Sequence, residues 1–244
     1  MLPETEQKEM SAGTPTQPAA QKAPNPNAKP QPERISVPAV GTLRVKFSKT
    51  GMLRYISHLD LLRTMQTAMM RARIPVWYTE GFNPHQKLVF ALPLSLGTES
   101  VCELIDIKVT ERIDPKKAAE ELNRAFPPDM RALDAWYAET KFTGIFWARY
   151  EIRPVEDGAP ADLSALDRPE IITTIRTKSG EKEIDLRPKI HDFAPLLGGG
   201  VAVTLRAAIN DIINPDAVAR VLGMGEHRNL RTAVFCEDGE TEFR

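Results

Sequence analysis

The chain has 244 residues, 42% of them hydrophobic and 27% charged, with a formal net charge of −1. That length fits one or two ordinary domains, and the apolar share excludes a wholly disordered chain. No apolar run reaches the ~18–20 residues of a membrane span, and no apolar signal-peptide core opens the N-terminus. Two cysteines, Cys102 and Cys236, make neither a disulfide framework nor a four-sulfur metal site, so a reducing, cytoplasmic setting is expected.

Residues 1–40 read as a disordered, proline-rich tail. Eight of the 20 prolines fall within residues 1–38, no aromatic residue occurs there, and four basic residues cancel four acidic ones. Such a segment buries too little apolar surface to offset the entropy of ordering it. An interaction or linker role competes with a bland extension.

Strict alternation over residues 42–48 predicts a half-buried strand, followed by a turn at residues 49–51. Ser57 with Asp60 three positions on is a capping pattern, and Leu59, Leu62, Met65, Met69 and Ala72 keep helical spacing until Pro75 stops it. Residues 76–79 and 87–92 flank a turn. Residues 103–109 alternate as a further strand. Asp114 followed by Pro115 opens a helix to about Phe126, and residues 130–138 return as a strand. The order β-α-β-β-α-β is that of a split βαβ unit.

The second half repeats the order less regularly. Strands are expected at residues 146–152 and 201–206, a short helix at 161–166, and a hairpin from 171–177 and 183–186 around Ser179 and Gly180. Asn214 and Pro215 start a helix to about Leu222, and residues 231–235 close the chain as a strand. The expected class is α+β: two tandem ferredoxin-like units, a basic one at 41–141 and an acidic one at 142–244.

Charge is unevenly placed. Residues 43–91 carry eight basic and two acidic side chains, a net of +6, against 20 basic and 27 acidic over residues 92–244. Interleaved with Tyr55, Trp77, Tyr78 and Phe82, those cations suit a phosphate backbone with stacked bases. A solvated basic face with aromatics buried in the sheet is the competing reading.

His58 sits at a helix N-terminus, where backbone N–H groups attract anions. It reads either as a general base or phosphate donor, or as a surface residue of the capping turn. In the stretch from Glu80 to Lys87, Gly81 permits positive φ and Pro84 fixes a dihedral. Asn83, His85 and Lys87 then suit a small anion or nucleobase site, against an ordinary turn with polar tips. Glycines 198–200 precede no helix with Lys-Ser/Thr, so they make no P-loop. The four histidines share no metal-ligand spacing, and no metal or other cofactor is expected.

The stretches RVKFSKTGMLRYISHLD at 44–60, GFNPHQK at 81–87 and LPLSLGTES at 92–100 closely resemble the bacterial radical-SAM-linked protein family, a domain of unknown function. Gln86 stands where such proteins usually have proline. The resemblance implies a partner, a cobalamin-binding radical SAM enzyme fused to or encoded beside the chain, and no mechanism. The cluster motif Cys-x3-Cys-x2-Cys is absent here, since Cys102 and Cys236 lie 134 positions apart. An accessory role follows: binding RNA such as tRNA and presenting it for modification. Lys49, Arg54, His58 and Lys87 are the expected phosphate contacts, Asn83 and His85 the base or polar-ligand contacts, and no catalytic residue is assigned. The alternatives are a metal-independent RNA-processing enzyme using His58 or His85, and a protein-interaction subunit that ignores nucleic acid.

Overall fold

A computed structural model of the chain describes residues 38–156, 162–177 and 180–244. The expected tail falls almost wholly outside the described residues, as do Ala161 and Ser179. The elements in chain order are β1 (Gly41–Lys49), α1 (His58–Arg71), β2 (Leu88–Phe90), β3 (Thr98–Val109), α2 (Pro115–Ala125), β4 (Met130–Tyr137), β5 (Trp147–Pro154), β6 (Ile172–Thr177), β7 (Gly180–Asp185), β8 (Ile190–Pro195), β9 (Val201–Ala208), β10 (Asp211–Ile212), α3 (Asp216–Val221) and β11 (His227–Phe235). Among the described residues no helix is long and apolar enough to cross a membrane.

The helices start where local chemistry lets them. The Ser57 hydroxyl accepts the Asp60 N–H at 3.1 Å and donates to the Asp60 carboxylate at 2.7 Å, so the two residues cap α1 together. Leu61, Met65, Ala68 and Met69 form its buried stripe, and each large side chain there contributes roughly 1.5–3 kcal/mol of apolar burial. Asp114 caps α2 ahead of Pro115. Both helices pack on Leu43, Val45 and Phe47 of β1 and on Ile105, Ile107 and Val109 of β3. A larger second core joins β5, β9 and α3 with Cys102 and Leu104.

The chain is α+β, as expected, but strands from both halves lie in one mixed sheet of nine, ordered β10-β9-β5-β11-β3-β1-β4, with β2 on β3 and β8 on β9. The strands of the two expected units are thus continuous in one sheet. Within it each half repeats one order, β4-β1-β3-β2 and β11-β5-β9-β8, with antiparallel neighbours throughout. The joint is the parallel pairing of β11 with residues 98–100 of β3. Strand β8 had no sequence counterpart.

Alternation sends Arg44 and Asp106 to the sheet face that α1 and α2 leave open. Arg44 is 0% exposed. Its guanidinium grips Asp106 through two bonds of 2.7 and 2.9 Å and donates to the Thr140 hydroxyl and carbonyl at 3.0 and 2.8 Å. The rings of Phe142 and Phe243 lie 4.3 and 5.1 Å from its central carbon. The pair thus fastens the 138–144 loop and the last residues to the sheet. Removing one partner strands a buried charge, so Asp106→Ala should cost about 3–5 kcal/mol in urea unfolding, and Arg44→Met with Asp106→Leu should recover most of it.

Candidate functional site

The open sheet face carries a groove of about 590 Å³. Lys87 and Val89 face it because Leu88 turns the other way, toward the helices. Lys108 reaches it from β3 and Lys141 from the 138–144 loop after β4, with Asp106 and Glu139 as its acidic residues. Asp106 is already neutralised by Arg44, leaving three lysines against one carboxylate. Val89, Phe142 and Ile209 supply apolar wall.

The 77–87 segment borders this groove. The Trp77 N–H donates to the Lys108 carbonyl at 2.7 Å, and the Lys87 N–H donates back to Trp77 at 3.1 Å. Lys108 lies over the Trp77 ring at 5.5 Å. At the tip Gly81 takes φ of +120°, a conformation open to glycine. Phe82, 86% exposed, and Asn83 project there. His85 is exposed, with one ring nitrogen engaged: its Nδ1 lies 3.0 Å from Thr79 Oγ1 and 3.3 Å from the Asn83 carbonyl. It braces the turn. His58 is exposed and rests edge-on against Phe90, with ring centroids 5.2 Å apart.

Lys49 and Arg54 occupy a different place. Lys49 is 2% exposed, so it presents no charge to a polyanion, contrary to expectation. Its ammonium donates to the Leu53 carbonyl at 3.4 Å. Burial holds its pKa below the ordinary lysine value, Glu103 and Glu99 opposing and Arg231 assisting. Arg54 stacks on Tyr55 at 4.8 Å and approaches Glu99 at 3.8 Å. Gly51, with φ +55°, allows the tight turn after β1; a Cβ there would stand 2.5 Å from the Asp129 carboxylate that accepts the Met52 N–H. The four sequence-predicted phosphate contacts therefore divide: Lys49 and Arg54 meet beside Glu99, Lys87 joins Lys108 and Lys141, and His58 stays with Phe90 outside the groove lining.

A buried polar row crosses the sheet beside Lys49. Register sets Lys49 opposite Ser100, Ser100 beside Arg231, and Arg231 opposite Tyr150. Between Ser100 and Glu103 strand β3 has one residue more than β1, which turns both side chains to one face. Glu103 pairs there with Arg231, both almost fully buried. Burial works against the charge of Arg231, but the Glu103 carboxylate, with Tyr150 and Cys102, outweighs it and raises the pKa.

Burial also pushes the Cys102 thiol up to about 11 from 9.0. Between those values the unfolded chain releases this proton while the folded chain keeps it. The contribution is full below pH 9.0 and is lost as pH rises through about 11, by at most about 1.4 kcal/mol per pH unit. The stability difference between the parent chain and Cys102→Ala should therefore shrink steadily across that window in urea unfolding. A constant difference would show that the thiol titrates alike in both states.

Sequence reasoning missed Lys108, Lys141 and Arg231, which come from distant parts of the chain. Alternation placed Lys108 opposite Ile107, and that was the available signal. No curated protein matches this sequence. Residues 42–232 match the model of an uncharacterized protein family conserved in bacteria, DUF2344. With well over half of its length matched, the chain belongs to the DUF2344 family of bacterial conserved proteins.

Proposed function

We propose that this protein is an accessory module to a radical SAM enzyme, one that binds RNA such as tRNA along the groove and presents it for modification. The groove carries the reading: Lys87, Lys108 and Lys141 converge on one face, next to a tip where Tyr78 and Phe82 are 47% and 86% exposed. Cations that track a backbone beside open aromatic faces are the chemistry of single-stranded RNA binding. The radical SAM partner rests on the family resemblance of residues 44–60, 81–87 and 92–100. We also read each repeated four-strand order as a ferredoxin-like unit, the second with the β6–β7 hairpin where a first crossover helix would stand. The phosphate contacts become Lys87, Lys108 and Lys141, with Asn83 and Phe82 as base contacts.

One observation favours a second reading. The groove is walled largely by apolar side chains, with Val89 43% and Ile209 61% exposed. Such a surface suits a protein partner, the radical SAM enzyme itself, with no nucleic acid between them.

Fluorescence anisotropy of the full chain with labelled tRNA at 50 and 200 mM salt separates the two. RNA binding should weaken steeply with salt, and Lys87→Glu with Lys108→Glu should reduce the slope of log K against log salt by about 2. The same variant should leave urea stability within about 0.5 kcal/mol of the parent. Absence of binding at 50 mM salt sinks the RNA reading, and capture of the radical SAM enzyme without RNA then upholds the second.

A further inference from the structure

The three lysines of the groove are not held alike. Lys108 lies within β3, and Lys87, one position before β2, is bonded through its backbone to Trp77 and Lys108. Lys141 is exposed and stands on the 138–144 loop. A cation on a loop presents its charge at a fixed point only where the loop itself is fixed. The residues on either side of Lys141 show what fixes this one.

Before it, the Thr140 hydroxyl donates to the Arg244 carbonyl at 2.5 Å. The same hydroxyl accepts from Arg44 at 3.0 Å, and the Thr140 carbonyl accepts from Arg44 at 2.8 Å. After it, the Phe142 ring lies 6.3 Å from the ring of Phe243. Phe243 is 4% exposed. A Cβ on Gly144 would stand 3.1 Å from its ring, so the ring seats against the loop backbone. Residues 242–244 thus form a strap under the loop, and the sheet holds the strap. The Phe243 N–H donates to the Val234 carbonyl at 2.9 Å, and Glu242 accepts from Lys46 at 2.6 Å. Arg244 pairs with Asp134 at 3.0 Å and lies over the Trp136 ring at 5.2 Å. None of these three strap residues lines the groove.

We propose that Phe243 and Arg244 are positioning residues of the groove: they set where Lys141 stands, and so how tightly the groove grips a polyanion. The inference rests on the RNA reading above. Without the strap, the loop would have to be ordered at the moment of binding, and that entropy would be subtracted from the affinity. Lys87 and Lys108 are held by strand pairing and do not depend on it. The strap therefore acts through one cation of the three, which a general loss of stability would not do.

Two measurements on the full chain test it. In Phe243→Ala, amide hydrogen exchange should quicken across residues 138–144 and stay as in the parent across α1, which packs in the other core. Fluorescence anisotropy with labelled tRNA at about 50 mM salt gives the second readout. Phe243→Ala should weaken binding roughly threefold to tenfold in the parent and in Lys87→Ala, and should change nothing in Lys141→Ala. Thr140→Val, nearly equal in size, cuts the link to Arg244 and should give the same pattern if Phe243→Ala fails to fold. Equal weakening in all three backgrounds overturns the proposal, as does no weakening in a parent that binds tRNA. If the parent binds no tRNA, the RNA reading fails and exchange alone decides. Unchanged exchange over residues 138–144 then refutes the hold on Lys141. Quickened exchange confined to them upholds that hold, while its bearing on RNA falls with the reading.

Discussion

Strand β3 has one edge to share between two neighbours, and the rest of the sheet is arranged around that division. Strand β2 takes residues 105–107 and β11 takes residues 98–100. A gap of four residues remains, where the polypeptide must satisfy its own polar groups. The Ser100 hydroxyl accepts the Cys102 N–H at 3.2 Å, the Leu104 carbonyl accepts from Ala91 at 3.0 Å, and the Arg231–Glu103 pair fills the opening from β11. An apolar filling would seal the gap as well. A buried ion pair instead fixes which residue of β11 stands beside Ser100, and so holds the parallel joint in one register.

The same economy explains where the positive charge of residues 43–91 goes. Arg44 pairs with Asp106, Lys46 with Glu242, Arg54 with Glu99 and Arg63 with Asp60, while Lys49 is buried. Among the described residues only Arg71, Arg73 and Lys87 of the eight cations lack an ion pair or burial. The acidic surplus of residues 92–244 is partly the complement of this set, as Glu242 and Glu99 show. Charge counted along a segment therefore overstates the field it presents, because the partners of Arg44 and Lys46 arrive from 62 and 196 positions away. What survives as an external basic site is assembled from Lys87, Lys108 and Lys141, each from a different element.

Much of the fold was legible where local chemistry decides structure. The Ser57 and Asp114 caps, the stop before Pro75, and the alternation of β1 and β3 all act within a few residues of themselves. Strand β8 was not legible: only Ile190 is buried in it, and its His191, Asp192 and Pro195 follow no strand pattern. It is a strand because β9 offers it an edge. The fates of Arg44 and Lys49 were equally hidden. In an alternating strand a cation at a polar position reads as solvated, and only a carboxylate 62 positions away turns Arg44 inward. Asn83 and Lys87 were legible as exposed positions of a stiff turn. His85 lay in the same turn, but its Nδ1 is used by Thr79 and Asn83.

The sheet ends at β4, whose outer edge pairs with no other strand among the described residues. That edge is not straight. Leu133 is an extra residue between Asp134, opposite Lys46, and Ala132, opposite Phe47. The Asp134 carboxylate accepts its neighbour Ala135's N–H at 2.8 Å and holds Arg244 at 3.0 Å. A kinked border with its amides and charges already engaged offers a poor template for another copy's strand. This border of the sheet is thereby guarded against end-on polymerisation, a fault to which a sheet of this width would otherwise be prone.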